Sequence, residues 1–255
     1  MSTTIRSADG TPLAVSSTGD GPAVVMIDPA GAFHGLRPMA GAIAPLALDF
    51  TVYTYDRRGR GDSGDTLPFT PQREIDDLAA IVDFAGGQAF GYGFSSGAAV
   101  ALGAAASGVP IRKLALLEPP FAVDEPTDQA FTAELRRLLD QQERGAAVEF
   151  VNRSVGVPEE RVGALREHPA WPELEALAHT YLYDVAVLEL MTGDLLAAVQ
   201  QPTLVLSSAG SDDYLRTTAI DVASRLPNAR HLEVPGEWHG VDDNDLARVL
   251  IDWFR

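Results

Sequence analysis

Gly93-Phe94-Ser95-Ser96-Gly97 closes an apolar run, Gln88–Phe94, and opens directly into a run of small residues, Ser96–Ala106. The first run has the length of a buried strand and the second the length of a helix. A serine on so sharp a strand-to-helix turn sits in strained backbone with its Oγ pushed into the open. Only small flanking residues let strand and helix pass that closely, which accounts for a glycine two positions before and two after Ser95. The helix start aims N–H groups at any negative charge that develops there. Ala98, Ala99 and Gly103 extend the close packing. The pattern reads as a serine nucleophile rather than a plain turn. Ser96 lacks the symmetric glycine frame, so it competes poorly as nucleophile and serves better as an N–H donor.

Outward from this turn, short β-rich runs alternate with helical patterns, which predicts a mainly parallel twisted sheet flanked by helices. Thr3–Ser7 and Thr11–Ser17 around Asp9-Gly10 read as a hairpin, and Ala23–Ile27, Phe50–Tyr55 and Arg112–Leu117 as strands. Thr70-Pro71 opens a helix through Phe84, proline being tolerated in the first turn. From Pro119 to Gln200 helical patterns follow one another without a strand: Gln129–Arg144, Ala146–Val151, Glu159–Glu167 and Pro172–Met191. Alternation resumes with Thr203–Leu206, Thr217–Leu226, Arg230–Val234 and Asp245–Phe254. The expected organisation is a core of residues 1–118 and 201–255 with a helical cap, 119–200, inserted after the strand that ends at Glu118.

The 255 residues suffice for one sizeable core. A formal charge of −17 disfavours nucleic acid, whose phosphates need cationic partners. That field also opposes strongly anionic substrates, but it is screened over roughly 8–10 Å and does not bar a carboxylate from a buried pocket. The absence of cysteine removes disulfides, thiolate metal sites and a thiol nucleophile together. Met1–Gly10 shows no basic stretch followed by an apolar run, and no segment of about 18 apolar residues occurs. The expectation is a cytoplasmic enzyme without membrane contact. No His-Glu-x-x-His pattern or glycine-rich phosphate loop is present, so neither metal nor cofactor is expected.

Tyr55-Asp56-Arg57-Arg58-Gly59-Arg60-Gly61-Asp62-Ser63-Gly64 resembles the strand-end motif of the α/β-hydrolase superfamily, and Pro202–Leu206 its next-to-last strand. With the Ser95 turn and Trp238-His239-Gly240, the resemblance spans the chain except the cap. It implies the α/β-hydrolase fold, with Asp56–Gly64 a structural turn beneath the site. It also implies His239 as general base, since His239 follows the last strand in the family's order of nucleophile first and histidine last. Of the other four histidines, His231 reads as a packed or edge residue, and His168 and His179 lie in the cap. His34 is as compatible with the surface as with a place facing substrate.

A carboxylate must hold the imidazole in one tautomer, and here the sequence leaves two choices. The family's usual loop reads Ser207-Ser208-Ala209-Gly210-Ser211-Asp212-Asp213, with its aspartates late. Glu118, which Pro119-Pro120 stops abruptly at a strand end, is favoured over Asp212 or Asp213, and the resemblance to zearalenone-type lactonases supports it. Where the family shows His-Gly, this chain has Asp28-Pro29-Ala30-Gly31. Pro29 has no N–H, so matching by position leaves the N–H groups of Ala30 and Ser96 as oxyanion donors. The expected activity is hydrolysis of a small apolar carboxylic ester or lactone. Carbon–carbon bond hydrolysis, a lyase reaction on the same residues, or a non-catalytic small-molecule receptor are the alternatives. Trp171 and Tyr183, with His34, are the candidates to touch substrate, although most cap aromatics must pack the cap itself. Oligomeric state is not legible.

Overall fold

The computed structural model describes residues 2–125 and 128–255, so Pro126 and Thr127 of the expected cap lie outside the described residues. Eight strands form one sheet: β1 Ser2–Arg6, β2 Pro12–Thr18, β3 Ala23–Ile27, β4 Thr51–Tyr55, β5 Ala89–Phe94, β6 Ile111–Leu117, β7 Thr203–Ser208 and β8 Ala229–Val234. Their spatial order is β1-β2-β4-β3-β5-β6-β7-β8. Within this sheet β1/β2 and β2/β4 pair antiparallel, and every pair from β4 to β8 is parallel. Parallel strands between helical layers are buried on both faces, and β5 and β7 are buried along their whole length. The carboxyl ends of β3, β5, β6 and β7 therefore deliver Asp28, Ser95, Glu118 and the loop after Ser208 to one rim of the sheet, where open α/β sheets bind ligands.

The helices are α1 Ile43–Leu46, α2 Pro71–Phe84, α3 Ser96–Ala106, α4 Gln129–Asp140, α5 Arg144–Ser154, α6 Glu159–Leu165, α7 Trp171–Leu177, α8 Tyr181–Leu188, α9 Gly193–Ala198, α10 Asp213–Arg225 and α11 Asp243–Phe254. On one face α2, α3 and α10 bury Leu78, Ile81, Leu102, Ala219 and Val222 against the sheet; on the other, α1 and α11 bury Leu46, Leu246, Leu250 and Phe254. The stretch between β6 and β7 is a helical insertion with two packing allegiances. Leu135, Leu138, Val148, Val151, Leu174 and Leu177 form a cluster of their own with Phe33 and Tyr181. Val187, Met191, Leu196 and Val199 join the main core instead.

Several element boundaries differ from the sequence expectation, each for a local reason. The helix expected over Gln129–Arg144 stops at Asp140, because Gln142 turns left-handed at φ 60 before α5 begins. The helix expected from Pro172 to Met191 is interrupted by a tighter turn at Ala178–Thr180, where the Thr180 hydroxyl donates to the Leu177 carbonyl at 2.8 Å. Helix α10 starts four residues early because Asp212 caps it, accepting from the Leu215 N–H at 3.0 Å; Asp242 does the same for α11. The short helices α1 and α9 had no periodicity long enough to reveal them.

Helix α3 is buried all round, from Ser96 to Ala105, which is why it is built of small residues. A Cβ at Gly97 would lie 2.3 Å from the Ile27 carbonyl oxygen and 2.8 Å from that of Asp28, both backbone atoms without a soft escape. Gly97→Ala should therefore destabilise the fold by about 1–3 kcal/mol in urea denaturation. Gly163→Ala, within α6 and facing open space, should instead raise stability by about 0.5–1 kcal/mol.

Candidate active site

Ser95 joins β5 to α3 at φ 53, ψ −124. Its N–H is fixed by the Leu117 carbonyl of β6 at 2.9 Å, and a Cβ at Gly93 would meet the Ala98 Cα at 2.7 Å. The turn is thus held by the neighbouring strand on one side and by tight packing on the other. Ser95 is partly exposed, whereas Ser96 behind it is buried.

At the end of β6, Glu118 is fully buried, with φ 46. One carboxylate oxygen lies 2.7 Å from His239 Nδ1 and the other accepts the Ser208 N–H at 2.8 Å. An ionised carboxylate so buried needs such partners. His239, at φ 52, donates its own N–H to Ser211 Oγ at 2.8 Å, and its ring lies 4.8 Å from that of Phe94, the residue before Ser95. Ser95, Glu118 and His239 are three of only six non-glycine residues at positive φ among the described residues. Such backbone costs about 1–3 kcal/mol each and persists where its surroundings over-determine it. The loop that carries aspartates late in the sequence is occupied otherwise. Asp212 caps α10 and accepts from the Trp238 indole at 3.3 Å, and Asp213 lies exposed in the first turn. The serines of that loop, Ser208 and Ser211, hold Glu118 and His239.

After β3, Asp28 pairs with Arg37 at 2.6 Å. Burial pushes the Asp28 carboxyl above its usual range, with the Arg37 charge opposing that rise. Beneath the loop, the Asp56–Gly64 run is a turn, and its three arginines are buried. Arg57 clasps Glu74 of α2 through two bonds, 2.8 and 3.0 Å, and reaches Asp184 of α8 at 2.8 Å. Arg58 does likewise with Asp77. Arg60 bonds Asp184 at 2.7 Å and the Pro29 carbonyl at 2.8 Å. Ser96 Oγ donates to Asp184 at 2.8 Å. Burial works to raise the Asp184 carboxyl, but the charges of Arg60 and Arg57 bring it below the usual range, so it is anionic. Sequence reasoning missed Asp184, Arg57, Arg60, Ser208 and Ser211 as site supports. The only signal was three arginines within four residues at the end of a buried strand.

His34 makes no hydrogen bond to Ser95, Glu118 or His239; its ring is exposed and held by Asp56 at 2.7 Å. The ligand atoms of His34, Asp56 and Asp62 lie within 4.8 Å of one another. However, Asp56 is already engaged by the N–H groups of His34 and Asp62 and by Arg37, as a carboxylate that braces a turn. Trp171 packs beside Gly145 and under the Arg166 guanidinium. Tyr183 stacks on Phe69 at 3.8 Å and donates to Asp65 at 2.8 Å. His231 lies in β8, 2.8 Å from Ser207 Oγ. The aromatic beside Ala30 is Tyr181, which with Leu36, Pro38, Leu165 and Leu174 lines a groove of about 110 Å³. Burial pushes its phenol up to about 12, so it is a neutral hydroxyl at neutral pH. Among the described residues no helix is long and apolar enough to cross a membrane.

The profile of the α/β hydrolase family matches residues 24–250. An α/β hydrolase from Sphaerobacter thermophilus is 44% identical, with a TM-score of 0.87 over 99% of this chain and 100% of that one. An enol-lactonase from Burkholderia xenovorans is 18% identical at TM-score 0.71, covering 99% of both chains, and shares the fold. So does an esterase from Thermogutta terrifontis, 22% identical at TM-score 0.71, covering 100% of this chain and 98% of the other. No curated protein matches the sequence. With a family profile spanning residues 24–250 and a relative of 44% identity along the full length, the chain belongs to the α/β hydrolase family.

Proposed function

We propose that the protein hydrolyses a carboxylic ester or lactone of a small apolar substrate, with Ser95 as nucleophile, His239 as general base and Glu118 as the supporting acid. The observation that carries this reading is the 2.7 Å contact between Glu118 and His239 Nδ1. An anionic carboxylate there takes the Nδ1 proton as its hydrogen bond and leaves Nε2 as the basic nitrogen. His239 Nε2 removes the Ser95 hydroxyl proton as Oγ adds to the carbonyl carbon, and the carbonyl electron pair moves onto oxygen. The N–H groups of Ala30 and Ser96 receive that oxyanion. The imidazolium then protonates the leaving alkoxide as the C–O bond breaks, giving an acyl-enzyme and an alcohol. For a lactone the alcohol remains on the acyl chain. Water, deprotonated by the same nitrogen, then adds to the acyl carbon; the bond from that carbon to Ser95 Oγ breaks as the imidazolium returns the proton to Oγ, and the acid leaves.

The substrate class rests on the groove beside Ala30. Its lining is mainly apolar, with Asn152 and the Tyr181 hydroxyl as its polar groups, and its volume is about 110 Å³. A small, largely apolar acyl portion suits such a groove. The chemistry named for the two distant neighbours, enol-lactonase and esterase, is of the same type.

Steady-state kinetics on short-chain p-nitrophenyl esters test the assignment of the acid. Glu118→Ala should lower kcat by about 10³-fold or more. Asp212→Ala and Asp213→Ala should each stay within about threefold of wild type; the opposite ranking would overturn the assignment. Ser211→Ala removes the acceptor of the His239 N–H and should cost about 1–3 kcal/mol of stability while raising no new activity. An unchanged urea midpoint would contradict the role of Ser211.

A further inference from the structure

Two successive carbonyls of the loop after β3 point into the buried arginines. Arg57 Nη1 donates to the Asp28 carbonyl at 3.3 Å and Arg60 Nη1 to the Pro29 carbonyl at 2.8 Å. The Pro29 carbonyl belongs to the same planar peptide as the Ala30 N–H, and in a trans peptide the two point in opposite directions. Fixing the carbonyl oxygen on Arg60 therefore fixes the N–H facing away from the arginines. A cation on the oxygen also draws electron density from the amide and strengthens its N–H as a donor. The second proposed donor, the Ser96 N–H, lies at the first residue of α3, where no intrahelical carbonyl reaches it. That residue is tied to the same charges, its Oγ bonded to Asp184 at 2.8 Å and approached by Arg57 Nη1 at 3.2 Å.

One carboxylate joins these contacts. Asp184 places one oxygen on Arg57 and Ser96 and the other on Arg60. It belongs to α8, in the helical insertion, while everything it holds belongs to the sheet side of the molecule. Arg57, Arg60, Glu74 and Asp184 balance to zero charge, and all four are buried. Buried pairs of this kind add little net stability compared with apolar packing of the same volume, because desolvation offsets their attraction. Their contribution is to fix geometry.

We infer that Asp184, acting through Arg60 and Ser96, is a positioning residue that sets the orientation of both oxyanion donors, so that the helical insertion is built into the transition-state machinery. This rests on the ester or lactone hydrolase reading above. The test uses the full-length protein, short-chain p-nitrophenyl esters, and an alkylboronic acid, whose tetrahedral adduct on Ser95 imitates the oxyanion. Active sites are counted by end-point titration with a fluorophosphonate, so that partial misfolding does not masquerade as slow turnover.

In Arg60→Met and Asp184→Asn, kcat per active site should fall about 30- to 300-fold, below the 10²–10³ expected for outright loss of a donor at its upper end. KM should move less than about threefold, and boronate affinity should weaken in step with kcat. Arg60→Lys, which keeps one cationic donor, should recover kcat to within about tenfold of wild type. Turnover per site within about threefold of wild type in both variants, or a kcat loss with unchanged boronate affinity, would overturn the inference. Should neither variant fold, Ser96→Ala decides, since it removes only the hydroxyl that Asp184 holds: about a fivefold loss in kcat per site supports the inference and no change overturns it. A wild type without Ser95-dependent turnover would overturn the hydrolase reading and this inference with it, whereas an active wild type with unaffected variants overturns this inference alone.

Discussion

Ser95 holds a left-handed backbone conformation, φ 53 and ψ −124, at the junction of a fully buried strand and a fully buried helix. Nothing local to serine favours it. What sustains it is the closeness of β5 and α3, which Gly93 and Gly97 permit, together with the Leu117 carbonyl that holds the Ser95 N–H. The rest of the rim is arranged around that junction. The next parallel strand, β6, ends at Glu118, and the strand after it supplies the Ser208 N–H that fixes the carboxylate. Ser95, Glu118 and His239 all hold positive φ at this rim, between the two cores on either side of the sheet.

The second organising feature is charge placed where apolar packing would serve stability better. Arg57, Arg58 and Arg60 lie buried beneath the loop after β3, paired with Glu74, Asp77 and Asp184. Removing any one partner leaves an uncompensated charge in low dielectric, so the network resists piecemeal change. It joins the turn after β4, helix α2, the start of α3 and helix α8 into one rigid block. The apolar cluster around Leu135, Val148 and Leu174 includes Phe33 and Tyr181, the latter from the same helix, α8, as Asp184. The groove beside Ala30 is lined by residues of the 30–38 stretch after β3 and by Asn152, Leu165, Leu174 and Tyr181 of the helical insertion.

Much of this was legible in the sequence because it rests on local rules. The glycine frame of Ser95, the strand-and-helix alternation and the proline stop after Glu118 each follow from steric constraints on a few consecutive residues. The preference for Glu118 over Asp212 and Asp213 came from its position at a strand end and from the lactonase resemblance. In the structure Asp212 caps α10 and Asp213 lies exposed in its first turn. What sequence did not disclose depends on residues far apart in the chain. Asp184 lies 127 positions from Arg57, inside a helix whose pattern suggested ordinary packing. Ser208 and Ser211 act through a backbone N–H and a hydroxyl that only the folded loop presents. Tyr181, not Tyr183, lines the groove, directly after the tighter turn at Ala178–Thr180.

The central claim is that Ser95 is an activated nucleophile, and it is tested most directly by covalent labelling. Native protein is treated with a fluorophosphonate, digested, and mapped by mass spectrometry. A single phosphonyl adduct on the peptide containing Ser95, absent after heat denaturation and formed far more slowly in His239→Ala, is the predicted result. A folded wild type that gains no adduct at Ser95 would contradict the account and leave a binding protein that has the fold without the chemistry.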